Sequence, residues 1–253
     1  MNPIVLADNR FLDGTPTANG TLSGFSVLNV RDLKEYMSWR QTGVTTSYLT
    51  VDCGASKYAD ALGIKKHNLG TAVASVSVDS SENGTDWTQR LAPFTPSNDK
   101  AILKTFTPAA GRHWRVKVAS TAMAADIAVC LLGEAITFPF SPEGPYVPAS
   151  NNIEAETARG KTGTILGTIV RFKPYRINPR WNTVPRTFVE DTFLPFWNDY
   201  ASNLAPFFYG WDLTAFPSDV RFVSVPADHS FETPVSVLAY YDSITLPMEG
   251  VVE

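Results

Sequence analysis

The sequence predicts a mostly β protein with one α-helix. Short runs of alternating apolar and polar residues recur through the first half of the chain. Turn residues separate these runs about every 8–12 residues, a spacing typical of a β-sandwich of about seven or eight strands. The clearest helical signal is in Phe193 to Leu204, where apolar side chains recur at helical spacing.

The strands of the predicted sandwich are clearest between Tyr48 and Trp87. Residues 48–53 alternate between apolar and polar side chains, and Gly54 is expected to end that strand. Residues 61–64 and 74–79 predict a second and a third strand. The polar segment that follows contains Asn83-Gly84, which predicts a type I′ turn.

Alternation also predicts which residues form the core of this sandwich. Val51 and Val78 lie on the apolar faces of their strands. Cys53 and Cys130 also lie in predicted strands, and two buried free thiols are the favoured interpretation of this pair, with a disulfide as the alternative.

Four local patterns occur in order in the first half: Ser38-Trp39, Leu49-Thr50-Val51-Asp52-Cys53-Gly54, Val78 to Trp87 with its polar turn, and Arg112 to Val118. Together they resemble the discoidin or coagulation-factor type C family of galactose-binding-like sandwiches. The resemblance covers about residues 2–134. It implies a jelly-roll β-sandwich that binds its ligand with loops at one end.

The second half of the chain predicts a separate β-rich domain. Residues 137–160 hold several prolines and polar residues, so they are predicted to be a linker between domains 1–136 and 161–253. Thr164–Phe172 predicts a strand. The helix after it carries Phe193, Phe196, Trp197, Tyr200 and Leu204 on one face, capped by Asp191 or Thr192.

Aromatic residues are concentrated in this half, and Phe207-Phe208-Tyr209 predicts a strand with large side chains on both faces. One face could belong to the core and the other to a contact between subunits. The order of the helix, this strand, residues 220–223 and a terminal strand at residues 248–251 resembles the ring-forming domains of minor and distal tail proteins of long-tailed bacteriophages. That resemblance implies a homo-oligomeric ring and other tail or baseplate proteins as partners.

Composition and motifs exclude several classes of function. The net charge of −4 gives no electrostatic basis for binding nucleic acid, and no apolar run is long enough to predict insertion into a membrane. The first residues do not form a secretory signal pattern. Neither a catalytic motif nor a spaced set of metal ligands is present, so the sequence predicts a protein that is not an enzyme and needs no cofactor.

A ligand site is predicted in the loops of the sandwich, because sugars are bound by aromatic faces together with fixed polar groups. The candidate residues are Trp39, Arg40, His67, Asn68, Glu82 and Asn83. All of them except Arg40 have an alternative interpretation. Trp39, like Trp87, could pack in the core or at its rim. His67-Asn68 could form a hydrogen-bonded turn. Glu82-Asn83 could favour Ca²⁺, although two oxygen donors are far fewer than a Ca²⁺ site requires.

These features predict a structural protein of a phage tail tip or baseplate, assembled in the host cytoplasm and located in the virion. Its second domain would build a ring, and its sandwich would make adhesion or assembly contacts that include a host surface glycan. The alternative is a free-standing carbohydrate-binding protein of the lectin type.

Overall fold

The computed structural model describes residues 2–144, 150–151, 153–227, 236–237 and 239–251. The chain divides into two compact units. The sandwich unit contains Pro3–Thr137 and Phe207–Phe222, and the C-terminal unit contains Phe138–Pro206 and the chain from Val223 onward. Contacts thus group residues 207–222 with the first unit, whereas the sequence assigned them to a domain at 161–253. The boundaries 1–136, 137–160 and 161–253 stay a prediction.

Strands make up most of the regular structure, as predicted. The strands are, in chain order, β1 Ile4–Leu6, β2 Thr17–Ala18, β3 Trp39–Arg40, β4 Thr46–His67, β5 Ser75–Ser81, β6 Thr88–Phe94, β7 Ile102–Ala119, β8 Asp126–Gly133, β9 Ile136–Thr137, β10 Ser150–Asn151, β11 Glu154–Arg159, β12 Ile165–Phe172, β13 Pro174–Ile177, β14 Arg180–Pro185, β15 Phe207–Gly210, β16 Val220–Val223, β17 Ser236–Val237, β18 Tyr240–Thr245 and β19 Met248–Val251.

Two long strands, β4 and β7, build the sandwich by bending from one sheet into the other. Early in β4, Leu49 pairs with Val116 of β7, whereas late in β4, Ile64 pairs with Ile102 of β7 and with Cys130 of β8. Apolar side chains of both halves meet in one buried core. The result is a jelly-roll β-sandwich.

The bend in β4 corrects the predicted strand boundaries. The pairing register shifts between Asp52 and Lys57, where Gly54 has a φ of 73° that an L side chain rarely adopts. Gly54 therefore turns the strand without ending it, and residues 61–64 continue β4 and do not form a strand of their own. We call the end of the sandwich near residues 52–57 the bend end, and the end near Thr46 and His67 the open end.

The predicted core residues are buried. Val51 is 1% exposed and Val78 is fully buried, so both assignments are confirmed. Cys53 and Cys130 are both buried free thiols, which confirms the favoured interpretation. Burial raises the pKa of the Cys53 thiol to about 11 and also raises the pKa of Cys130, so both stay protonated at neutral pH.

A smaller sheet, in the order β16-β15-β1-β9, covers a second apolar cluster of the sandwich unit. Phe207, Phe208 and Tyr209 are all fully buried in β15. The predicted strand is confirmed, and the suggested subunit contact on one of its faces is wrong. Gly63 of β4 is required here, because a Cβ at this position would lie 2.4 Å from Cδ2 of Phe208.

The C-terminal unit contains the predicted helix, which starts earlier than expected. It runs through Arg186–Phe188 as an α-helix, Val189–Phe193 as a π-helical turn and Leu194–Asp199 as an α-helix. Asp191 and Thr192 therefore lie inside it and cannot cap it.

The apolar face of this helix is confirmed in part. Phe193, Phe196 and Trp197 are buried, as the spacing predicts. The prediction that Leu204 belongs to this face is wrong. Leu204 follows the helix in the left-handed region, with a φ of 55°, and is 46% exposed. Among the residues that the structure describes, no helix is long and apolar enough to cross a membrane.

Short 3₁₀ turns at Arg10–Leu12, Val27–Arg31 and Ala201–Asn203 complete the helical structure. The remaining sheets of the C-terminal unit have the orders β10-β13-β19, β14-β18-β17 and β11-β12. The hairpin of β11 and β12 includes part of the predicted linker, because Glu154–Arg159 forms its first strand. It also confirms the strand predicted at residues 164–172.

Candidate functional site

The six predicted ligand residues fall at opposite ends of the sandwich. His67 ends β4 at the open end, and Arg40 pairs with Asp126 at the start of β8 there. Glu82 and Asn83 follow β5 at the bend end, where Ser81 pairs with His113. The structure therefore does not bring the six residues into one site.

Trp39 is a core residue, which was its alternative interpretation. Its side chain is fully buried, and its indole nitrogen donates a hydrogen bond to Thr21 Oγ1 at 3.0 Å. The indole consequently offers no face to a ligand, and this corrects its place among the predicted ligand residues.

Both ring nitrogens of His67 contact backbone groups of the open-end loops. It is 8% exposed, its Nδ1 accepts a hydrogen bond from the Leu69 amide at 3.1 Å, and its Nε2 lies 2.8 Å from the Lys100 carbonyl oxygen. This pair of contacts requires a neutral ring with its proton on Nε2. Burial accordingly lowers the pKa of His67.

Asn68 and Arg40 both hold the start of β8. The Asn68 amide donates to the Ala124 carbonyl at 3.0 Å, and its oxygen accepts from the Asp126 amide at 2.7 Å. Arg40 Nε donates to Asp126 Oδ2 at 2.6 Å, and its guanidinium lies 4.4 Å from the centre of the Phe25 ring. The predicted polar groups of this end are thus engaged by Asp126 and by backbone groups of the neighbouring loops. Asn68 fits its alternative interpretation as a turn residue.

The bend end carries an open polar depression of about 220 Å³. Its lining consists of Ser80, Ser81, Glu82, Asn83, Asp86, Thr88, Arg90 and Ala110. Hydroxyl, amide, carboxylate and guanidinium groups all belong to this set, whereas no aromatic ring does. The depression therefore offers many hydrogen bonds and lacks the stacking surface that the sequence analysis expected.

The Asn83 side chain fixes the turn that forms one wall of the depression. Its oxygen accepts hydrogen bonds from the amides of Thr85 and Asp86 at 2.9 Å each, and its nitrogen donates to Asp86 Oδ2 at 2.6 Å. Gly84 has a φ of 76°, while the φ of Asn83 is not positive. The predicted type I′ turn is therefore wrong, because the side chain and not a second positive φ organises the turn.

Glu82 and Arg90 give the depression groups of both charge signs. Glu82 Oε1 accepts a hydrogen bond from Ser56 Oγ at 3.0 Å, so its carboxylate is oriented although it is exposed. Arg90 Nε donates to Ser80 Oγ at 2.8 Å, which holds the guanidinium against β5. Both side chains keep further hydrogen-bonding atoms toward the solvent.

Next to the depression, the bend end is reinforced by charge pairs. Arg112 Nε and Nη2 each donate to a different oxygen of Asp52 at 2.8 Å. Hydrogen bonding from Arg112 lowers the pKa of Asp52. Gly84 lies over the His113 ring, since a Cβ at Gly84 would be 3.4 Å from His113 Cε1. These contacts connect the turn to the strands.

Trp87 directly precedes β6 and packs against Arg115. The guanidinium of Arg115 lies 4.1 Å from the centre of the Trp87 ring and 4.5 Å from that of the Tyr48 ring. Arg115 Nε also donates to Asp79 Oδ2 at 2.8 Å. One face of each ring is thus covered by Arg115, in agreement with rim packing as the alternative for Trp87.

Sequence reasoning missed Ser56, Asp86 and Arg90. The signal that could have found them is strand pairing across the hairpin: Ser80 pairs with Thr88, so the residues that flank the turn converge. Ser56 could not be found this way, because only the bend of β4 brings it to Glu82. Within the described parts of the chain, no group of three or more His, Cys, Asp or Glu side chains could hold a metal ion.

Comparison with known proteins gave structural similarities confined to about half of the chain. One is a pectin-binding carbohydrate-binding module, with 18% identity over 47% of this chain and 88% of that chain and a TM-score of 0.41. Another is chitosan-binding module 1 of a Paenibacillus sp. chitosanase/glucanase, with 19% identity over 50% of this chain and 98% of that chain and a TM-score of 0.41.

A third similar structure is a family 32 carbohydrate-binding module of Clostridium perfringens in complex with galactose, with 14% identity over 53% of this chain and 99% of that chain and a TM-score of 0.43. No protein-family model and no curated protein matches the chain. We therefore infer function from the residues of the chain itself.

Proposed function

We propose that the sandwich unit binds a carbohydrate in the depression at its bend end and does not catalyse a reaction. The observation that carries this proposal is the lining of the depression. Donors and acceptors of four chemical kinds surround about 220 Å³, and several of them are held in place. Sugar hydroxyls both donate and accept hydrogen bonds, so they suit a surface of this mixed character.

The fixed geometry of the depression favours binding because its side chains are already held in place before a ligand arrives. Asn83 and Asp86 are locked by the turn, Arg90 is held by Ser80, and Glu82 by Ser56. Side chains that are already immobilised lose less conformational entropy when a ligand binds. A volume below the roughly 300–1,000 Å³ of drug-sized sites suits one sugar ring.

The open end is the less suitable of the two. Its predicted residues are buried or already hydrogen-bonded to Asp126 and to backbone groups. His67 can bind a ligand only after losing its contacts to Leu69 and Lys100. Breaking contacts of buried polar groups costs about 1–3 kcal/mol for each group left unsatisfied. The bend end needs no such rearrangement.

A glycan array with the full chain, followed by titration calorimetry on the strongest saccharide, tests this proposal. We expect Arg90→Ala and Glu82→Gln each to weaken binding by about tenfold or more, which corresponds to one lost hydrogen bond to a charged group. The matched control is Arg40→Gln at the open end, which should leave the affinity unchanged. If Arg40→Gln abolishes binding while Arg90→Ala does not, the site lies at the other end.

A second function is favoured by an observation in the C-terminal unit. The hairpin of β11 and β12 exposes several large aliphatic side chains, an arrangement that soluble monomers rarely show and that marks protein–protein contacts. We propose that the chain is a structural subunit of a phage tail tip or baseplate, located in the virion. Its C-terminal unit would contact other tail proteins and copies of itself, while the sandwich unit binds a host glycan.

Electron microscopy of the native particle tests this second function. The expected result is density for the full chain at the tail tip, with the C-terminal unit in contact with neighbouring subunits. A particle in which residues 161–253 touch no neighbour would contradict the assembly role and leave carbohydrate binding as the function.

A further inference from the structure

The β11–β12 hairpin is exposed along its whole length. All residues of Glu154–Arg159 and Ile165–Phe172 are exposed, and the two strands form a sheet of their own among the described residues. Leu166 is 71% exposed and Ile169 is 70% exposed. A two-stranded sheet with such residues is at best marginally stable alone, so this one is suited to a partner.

The two edges of the hairpin are complementary to each other. β11 carries Glu154 and Glu156 with small residues, Ala155 and Ala158 among them, and ends at Arg159. β12 carries large aliphatic residues together with Arg171, and Lys173 follows it. One edge therefore has small side chains and a net negative charge, and the other has large apolar side chains and a net positive charge.

Resting on the assembly role proposed above, we infer that β12 of one copy of this chain pairs with β11 of the next copy. The pairing extends the two-stranded sheet across subunits and satisfies backbone groups at both open edges. Large aliphatic side chains of one copy cover the small residues of its neighbour, and the basic residues face the acidic ones. Because the two edges differ, the contact is head-to-tail and produces a ring or a filament.

A pocket of about 560 Å³ at the base of the hairpin leaves room for this neighbour. Phe172, Pro174 and Val251 form its apolar lining, and Arg176 and Glu249, whose side chains are 3.2 Å apart, form a charged rim. The pocket includes Glu154 at the start of β11, so it continues the edge that receives the neighbouring strand. An apolar side chain of the incoming copy can be buried there.

The experiment uses two complementary charge variants of the full chain. Variant one is Glu154→Lys with Glu156→Lys, and variant two is Arg171→Glu with Lys173→Glu. The wild type is expected to associate in a concentration-dependent manner in sedimentation velocity. Each variant alone should associate at least tenfold more weakly, because both of its edges then carry the same sign of charge.

Mixing the two variants is the decisive step. In the mixture each acidic edge meets a basic edge of the other variant, so association should return toward the wild-type level. Arg171 and Glu156 also pair within one chain at 2.5 Å, so each variant loses this ion pair as well. A hairpin merely distorted by that loss would not recover on mixing. Failure of the mixture to recover overturns the inference.

Two further outcomes separate this inference from the proposed functions. A wild-type chain that is monomeric up to about 1 mM, a concentration at which even weak contacts form, overturns self-association. If that monomer still joins the tail particle, the assembly role stands and the hairpin contacts another protein. Saccharide binding by both charge variants should equal that of the wild type, because the depression lies in the other unit.

Discussion

The strand β4 of the sandwich and the strand β12 of the hairpin both carry apolar residues but lie in opposite surroundings. Apolar residues in both segments predicted strands. In β4, Leu49 and Val51 are buried by the second sheet of the same unit. In β12, Ile165, Leu166 and Ile169 are all more than half exposed. Apolar patterning thus predicts a strand without telling whether its partner belongs to the same chain.

Introducing an aspartate into each of the two regions should produce the largest difference in the free energy of unfolding. Val78→Asp places an unpaired charge in the sandwich core and is expected to lower the free energy of unfolding by at least about 3 kcal/mol. Ile169→Asp, on the exposed hairpin, should change it by less than about 0.5 kcal/mol at concentrations where the chain is monomeric. Chemical denaturation measures both variants. Equal losses would remove the distinction between the two regions.

Glycine substitutions sharpen the comparison at the level of the backbone. Gly63→Ala is expected to cost about 1–3 kcal/mol, because the added carbon meets the Phe208 ring and the core cannot make space. Gly167→Ala on the hairpin should be neutral within about 0.5 kcal/mol, since no atom lies within 4 Å of a Cβ there. Thermal unfolding of the two variants gives the difference, and a neutral Gly63→Ala would show that β15 does not pack as described.

A smaller effect is expected from pH. The pKa of His67 is lowered in the folded chain by burial, so the unfolded chain takes up the proton more readily. The stabilisation from neutral His67 is fully present above its unfolded pKa of about 6.5 and is lost as pH falls below that value. Melting temperatures between pH 5 and pH 8 should therefore fall more steeply toward acid for the wild type than for His67→Gln. Parallel curves would contradict the assigned protonation state.

The elements predicted from sequence were those set by local pattern. Val51, Val78 and the buried helix residues Phe193, Phe196 and Trp197 follow from periodicity alone. Two features depend on distant parts of the chain and could not be predicted. The bend at Gly54 joins two strands that the pattern separated. Phe208 packs against Gly63, although the two residues are far apart in the sequence.

The site was predicted in part for the same reason. Glu82 and Asn83 were predicted as site residues because the turn after β5 has a recognisable sequence, and both line the polar depression. Trp39 was misassigned, because exposure of a tryptophan cannot be deduced from its presence near a predicted loop. Arg90 reaches the depression through strand pairing across the turn, which the predicted turn could have indicated. Ser56 reaches Glu82 only through the bend of β4, which leaves no local signal.

The central claim is that the bend end of the sandwich binds a carbohydrate. The most direct measurement is an amide NMR titration of the full chain with galactose and with the strongest saccharide from the array. We expect chemical-shift changes concentrated between Ser80 and Arg90 and at Ser56, with little change between Asn68 and Ala74. Changes confined to the open-end loops, or no change with any saccharide, would contradict it.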